Sequence, residues 1–241
     1  VFFVSDQSCD INSGNNVFNM DVNFDGKGSW KLKDRLSLGV GAKLKFYHGR
    51  FITDGYRLVA DAIEDYDFMG YGSSTEKAEI NIKHSLVILN GEDYQLKITN
   101  DDTHLDADGS EIIIGTNNLK FFGNNHTFHK IRSRANYNEF HDTLKVHELV
   151  VRAASTNVFD VMEVGKHLFI SDTNTITKTS FSPFPLTALA TILNRSNRDI
   201  CLDLVDMDRV TVSSMDPTVQ NKVGDSSTLT NNSTGWVTNP D

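Results

Sequence analysis

The chain has 241 residues, 39% of them apolar, which is enough to bury a core and excludes wholesale disorder. With 23 Lys+Arg against 32 Asp+Glu the formal net charge is -9, and no Lys/Arg run reverses that sign locally, so nucleic acid is not an expected partner. No apolar run approaches the roughly 18 residues of a membrane span, and VFFVSDQSCD lacks the basic and long apolar regions of a secretory leader, so no membrane insertion is expected.

The chain begins at Val1 and ends in TGWVTNPD, as expected of a processed or partial polypeptide. Its only cysteines, Cys9 and Cys201, are far apart, so neither a disulfide framework nor a CxxC metal knuckle is present. That usage fits assembly in a reducing compartment.

Residues 1–30 read as an N-terminal cap or attachment segment. From there period-two alternation dominates, in short runs broken by Gly, Asn, Asp and Ser. Trp30/Leu32, Leu36/Leu38 and Leu44/Phe46 come first, then Ile80/Ile82, Leu86/Ile88, Leu96/Ile98, Ile112/Ile114 and Leu119/Phe121. Leu144/Val146, Val158 to Val164, Leu168/Ile170, Ile200/Leu202/Leu204 and Val210/Val212 complete the series. Alternation bounded by turn formers is the signature of strands, so the chain is read as all-β. GYRLVADAIEDYDF (55–68) also places Leu58, Ala62, Ile63 and Tyr66 at helical spacing, and PLTALATIL (185–193) opens with a Pro suited to a first helical turn. Each is compatible with a short helix.

Strands this short and close, with Asn and Gly at the corners, follow the rhythm of a β-solenoid, in which inward side chains stack coil on coil. EIIIGTNNLKFFGNNHTFHKI (111–131) reads as three strands of one such coil. The expected fold is therefore a right-handed parallel β-helix over residues 31–216, with Ile112, Ile114, Leu119, Phe121, Leu202 and Leu204 buried. An antiparallel sandwich or jelly roll is the alternative, although Asn90-Gly91 is the one strong two-residue hairpin signal. Residues 217–241 are rich in Ser, Thr and Asn and read as a polar linker or a tail packing on a neighbouring subunit.

LKFFGNNHTF (119–128) resembles a coil common in pectate-lyase-like β-helices, and GAKLKFYHGRFIT (41–53) resembles the coil that often opens such a helix in phage tailspikes. The resemblance implies a virion-attached, homotrimeric spike or fibre, assembled in the host cytoplasm beside other virion proteins, that recognises cell-surface polysaccharide. A secreted protein is the alternative location. It transfers no catalytic motif, because the carboxylates of such proteins follow no linear signature.

A glycan-cleaving face would need paired carboxylates, roughly 5 Å apart for retention of configuration or about 6.5–9.5 Å for inversion. NDDTHLDADG (100–109) concentrates Asp101, Asp102, Asp106 and Asp108, but reads as a solvated turn without the Glu and spacing of an EF-hand. In CLDLVDMDRV (201–210), Asp206 and Asp208 share one strand face and are candidate catalytic groups. NYNEFHD (136–142) is the preferred site, read as a loop between coils: Tyr137, Glu139, His141 and Asp142 as glycan-binding residues, with Glu139 and Asp142 also candidate catalysts.

His126 and His129 stand three apart in a strand or turn, and in a strand they would point to opposite faces and not converge on one ion, so no metal site is expected. GxSxG, P-loop and GxGxxG signatures are missing, so no cofactor is implied. The expected function is a virion-attached structural and receptor-binding protein. A polysaccharide hydrolase or lyase of the same fold is the first alternative, and an antiparallel capsid or adhesion domain making only protein contacts the second.

Overall fold

The computed structural model describes residues 1–66 and 78–151 with their side chains, together with Val212, Gln220 and Gly235, and the backbone of further strands between Ser155 and Thr238. The fold is an all-β solenoid of about 7 turns, and among the described residues there is no helix. Every described strand pairing is parallel, so the antiparallel alternative does not hold.

Each turn contributes a strand to three faces. On the first face Phe2–Val4, Val22–Asp25, Lys43–Phe46, Ala62–Asp65, Leu96–Lys97 and Asn118–Phe122 stack in order, followed by the start of Tyr137–Val151. The second face stacks Ser8–Ile11, Ser29–Leu32, Gly49–Ile52, Ala78–Asn81 and the start of His104–Ile114. Val17–Phe18, Leu36–Leu38, Leu58–Ala60, Leu86–Leu89 and the end of His104–Ile114 form the third. Thr127–Ser133 and Tyr137–Val151 are long because they turn a corner and serve two faces each.

Alternation decides which side chains enter the core. On the first face Val22, Leu44, Ile63, Leu96, Phe121 and Phe140 lie in register and are all buried. A second inward row stacks Phe3 on Phe24 and Phe24 on Phe46, with ring centroids 5.3 and 5.1 Å apart. Burying one such ring stabilises by about 1.5–3 kcal/mol, so the ladder is a main source of cohesion between coils.

Asp65 follows Phe46 in register and ends the aromatic row. Its buried carboxylate accepts from the N–H groups of Thr99 and Asn100, at 2.8 and 2.9 Å, and from the Thr103 hydroxyl at 2.9 Å. A polar group in a core is tolerated when its lone pairs are taken up in this way.

Ile112, Ile114, Leu119 and Phe121 are buried as the alternation requires. The side chains of Leu202 and Leu204 lie outside the described residues. The pairing Leu86/Ile88 has the wrong phase: Val87 and Leu89 are fully buried, and Leu86 and Ile88 face outward. An unbroken apolar run carries no internal phase, and the register with Leu58 and Ala60 decides it. The helical reading of 55–68 also fails over residues 55–66, and residues 67 and 68 lie outside the described residues. Leu58–Ala60 and Ala62–Asp65 are strands, because Leu58 and Ile63 stack on buried Leu36 and Leu44 of the previous coil, and Ala60 lies under Leu89 of the next. Of 185–193, the described part belongs to the strand Ala190–Asn194.

Asn90-Gly91 forms a corner between the third and first faces, where the Gly91 N–H donates to the Asp61 carbonyl at 2.8 Å, one coil back. Residues 1–30 are built as coils that pair in parallel with those that follow. Within 217–241, Asn221–Val223, Thr228–Thr230 and Val237–Thr238 pair in parallel as well.

Candidate functional site

The outward side chains of the first face form rows that run from coil to coil. One row places Lys45, Glu64, Lys97, Phe122 and His141 in register. Lys120 and Glu139 are paired in the adjacent row, and Asn118 and Tyr137 in the next. Parallel stacking thus gathers residues distant in sequence at the spacing between strands, about 4.8 Å.

These rows floor a cleft of about 580 Å³. Tyr94, Phe122 and Tyr137 supply rings, Glu92, Asp93 and Glu139 carboxylates, and Lys97 and Lys120 ammonium groups. Gln95 fixes its shape from below. Fully buried, it donates through Nε2 to the carbonyls of Gly91 and Asn118, and its Oε1 accepts from the Lys120 N–H at 2.8 Å.

Glu139 is the hub of the polar contacts. Its Oε1 accepts from the Tyr137 hydroxyl at 2.8 Å, and its Oε2 lies 3.7 Å from Lys120 Nζ and 3.6 Å from His141 Nε2. The bond to Glu139 pushes the Tyr137 phenol above its ordinary pKa, with burial and the Glu139 charge adding to the effect. Tyr137 therefore stays a neutral donor with an available ring face. His141 stacks on Phe122, its ring nearly parallel at a centroid distance of 4.4 Å.

The cleft wall at Tyr94 rests on an arrangement that no local sequence pattern announces. Glu64 is on the outward face yet only 1% exposed. The hydroxyls of Tyr66 and Tyr94 both donate to its carboxylate, and Lys43 Nζ lies 3.0 Å from Oε1. Lys43 also donates to the Tyr94 hydroxyl at 2.7 Å and sits over its ring, 4.2 Å from the centroid. Burial and the Glu64 contact push the Tyr66 phenol up to about 12. With two phenols and an ammonium engaged, Glu64 acts as the anchor that orients Tyr94.

Tyr137, Glu139 and His141 are thus brought together, but on the strand Tyr137–Val151 and not on a loop. Tyr137 and Glu139 line the cleft, while His141 is tied to it through Phe122 and Glu139. Asp142 lies apart: it is exposed at a corner, with φ of 63° and an irregular register between Phe140 and Thr143. Short polar residues tolerate this left-handed conformation, so its identity is explained by the bend. The side chains of Asp206 and Asp208 lie outside the described residues; their backbone belongs to the strand Ile200–Asp208. Glu92, Asp93, Tyr94, Lys97 and Phe122 escaped sequence reading because their convergence depends on coil lengths. No protein-family model, curated protein or solved structure matches the chain.

The cleft can hold a ligand with both apolar faces and polar edges. Ring faces take the first, and the alternating carboxylates and ammonium groups take hydroxyls as acceptors and donors.

Proposed function

We propose that the protein binds a cell-surface polysaccharide in the cleft of the first face. The observation that carries this reading is the meeting of Tyr94, Phe122 and Tyr137 with Glu139 and Lys120 on successive coils of one rigid face. A sugar ring offers C–H faces to aromatic rings and hydroxyls to paired charges, and strands hold such groups with little ordering cost on binding.

The wider role is that of a virion-attached receptor-binding module of the tailspike or tail-fibre kind. It rests on the two coil motifs at 41–53 and 119–128 and on the parallel solenoid that both occupy. Self-association as a homotrimer is supported by the third face, where Val59, Ile88 and Ile113 form an outward apolar row in register. A second copy would cover it.

A depolymerase is the second reading, favoured by Glu92, Asp93 and Glu139 lining one cleft. Purified surface polysaccharides titrated against the protein test both readings. Binding by the parent protein with clear weakening in Tyr137→Ala is expected. No binding to any of them, or an unchanged isotherm for Tyr137→Ala, overturns the proposal. Release of new reducing ends or unsaturated products by the parent but not by Glu139→Gln assigns the enzyme; binding without release assigns the binder.

A further inference from the structure

The second face carries a separate cleft of about 400 Å³, lined by His104, His126, His129 and His147 with Asp106 and Asp108. None of these residues lines the first-face cleft. His129 and His147 occupy neighbouring coils: the pairs Phe128↔Val146 and Lys130↔Glu148 flank them, and their ring centroids are 5.8 Å apart. His126 stands on the corner before Thr127–Ser133, after Asn124 and Asn125 with φ of 40° and 63°. Its Nε2 is buried without a hydrogen-bond partner.

His126 precedes the strand and His129 lies on it, so strand alternation does not relate the two, and both line the same cleft. Among the described residues, no group of three or more His, Cys, Asp or Glu is placed to hold a metal ion.

We propose that this cleft is an acid-responsive element: protonation of His126 and His147 loosens the packing between the coils that carry them. The geometry supports it in two ways. A proton on half-buried His126 would place a charge beside a buried Nε2 that has no acceptor, and a proton on His147 would place a charge on a half-buried ring packed 5.8 Å, centroid to centroid, from His129 on the neighbouring coil.

Several of the surrounding charges are already engaged. Asp106 is engaged by Lys83 at 2.9 Å, Lys130 by Glu148 at 2.5 Å, and Asp101 accepts from the Asn124 amide at 3.2 Å. Beneath the corner, Asp65 is occupied by Thr99, Asn100 and Thr103. Asp108 shares the cleft, His84 packs beside Gly109, and Lys145 adds positive charge on the His147 strand.

Burial holds His126 below its ordinary 6.5, with His104 adding to this and Asp65 opposing it. Burial does the same to His147, aided by His129 and opposed by Asp108. A base whose value is depressed by folding binds its proton more readily when unfolded. The stability it leaves intact above 6.5 is therefore lost as pH falls toward its lower folded value.

Amide hydrogen exchange on the whole chain at about pH 7.5 and about pH 5.5, corrected for intrinsic rates, tests the proposal. The expected result is lost protection at the lower pH for Phe128, Ile131, Val146 and Leu149, with Val22, Phe24 and Leu44 unchanged. His126→Gln and His147→Gln each remove a titrating group and should reduce the loss. His147 is on the outward side of its strand, so His147→Gln tests the idea even where His126→Gln fails to fold. Equal loss along the chain, no loss, or undiminished loss in His147→Gln overturns it.

Discussion

Phe122 and His141 stack face to face one coil apart, with ring centroids 4.4 Å apart and planes 15° from parallel. Parallel register puts them opposite each other, and the same register aligns Lys120 with Glu139 in the next row. The cleft edge is therefore an aromatic pair beside an ion pair, each spanning one coil step. Phe122→Ala should remove the platform that orients His141 and weaken polysaccharide binding. Its ring is only half-buried, so the stability cost should fall below the roughly 3–5 kcal/mol of a core Phe→Ala change such as Phe46→Ala. Calorimetric binding and denaturant midpoints of the two variants check the contrast; equal destabilisation would refute it.

Much of the fold was legible because alternation has a phase wherever polar residues interrupt it. Lys43 and Lys45 alternate with Leu44 and Phe46, whose burial follows directly. At Leu86–Leu89 four apolar residues in a row erased the phase, and only the neighbouring coil supplies it. The candidate site was legible where it is local, since Tyr137, Glu139 and His141 alternate along one strand. Tyr94, Glu64 and Lys43 were not, because they lie on successive coils and the coil lengths between them determine that they meet.

Lys43→Met tests whether Glu64 is an anchor. Removing the ammonium leaves a carboxylate at 1% exposure supported by two phenols alone, and a lost bond to a buried charge costs about 1.5–3 kcal/mol. Pairing the change with Glu64→Gln removes the stranded charge and should recover part of that loss. Urea midpoints at unchanged slope measure both. If the double variant is as unstable as the sum of the singles, the residues are not coupled and the anchor role falls.

Two glycines separate clash from backbone strain. Gly49 and Gly55 have φ of 77° and 83°, so alanine is strained at either. At Gly49 an added methyl would meet the Gly26 carbonyl at 2.4 Å and that of Gly28 at 2.7 Å, whereas at Gly55 the nearest atom is 4.0 Å away. Gly55→Ala should cost about 1 kcal/mol and Gly49→Ala clearly more, read as a larger fall in thermal midpoint. Equal falls would mean that the coils part easily at Gly49.

The pH limits of stability follow from groups on both sides of neutrality. The Asp34 carboxyl is held below its ordinary 3.8 chiefly by the Ser13 N–H, at 2.9 Å, with the Asn15 N–H at 3.1 Å helping and burial opposing. Burial raises the Asp21 carboxyl, but Lys45 at 2.6 Å and the Lys43 N–H at 2.9 Å outweigh it and leave the group lowered. For both, the folded value lies beneath the unfolded one, so their stabilisation is present above 3.8 and disappears as pH falls through the depressed values. Tyr66 sets the alkaline side with the opposite sign. Its folded pKa of about 12 exceeds the ordinary 10.0, so the neutral phenol favours the fold, and that contribution is lost as pH rises from 10.0 toward 12. Thermal midpoints across pH should therefore decline at both ends. Asp34→Asn should flatten the acid limb by removing one titrating carboxylate, while Tyr66→Phe should flatten the alkaline limb at the expense of a donor to Glu64. Ultraviolet absorbance of phenolate reports the second directly: if every tyrosine in the folded chain ionises near 10.0, Tyr66 is not held by burial and Glu64.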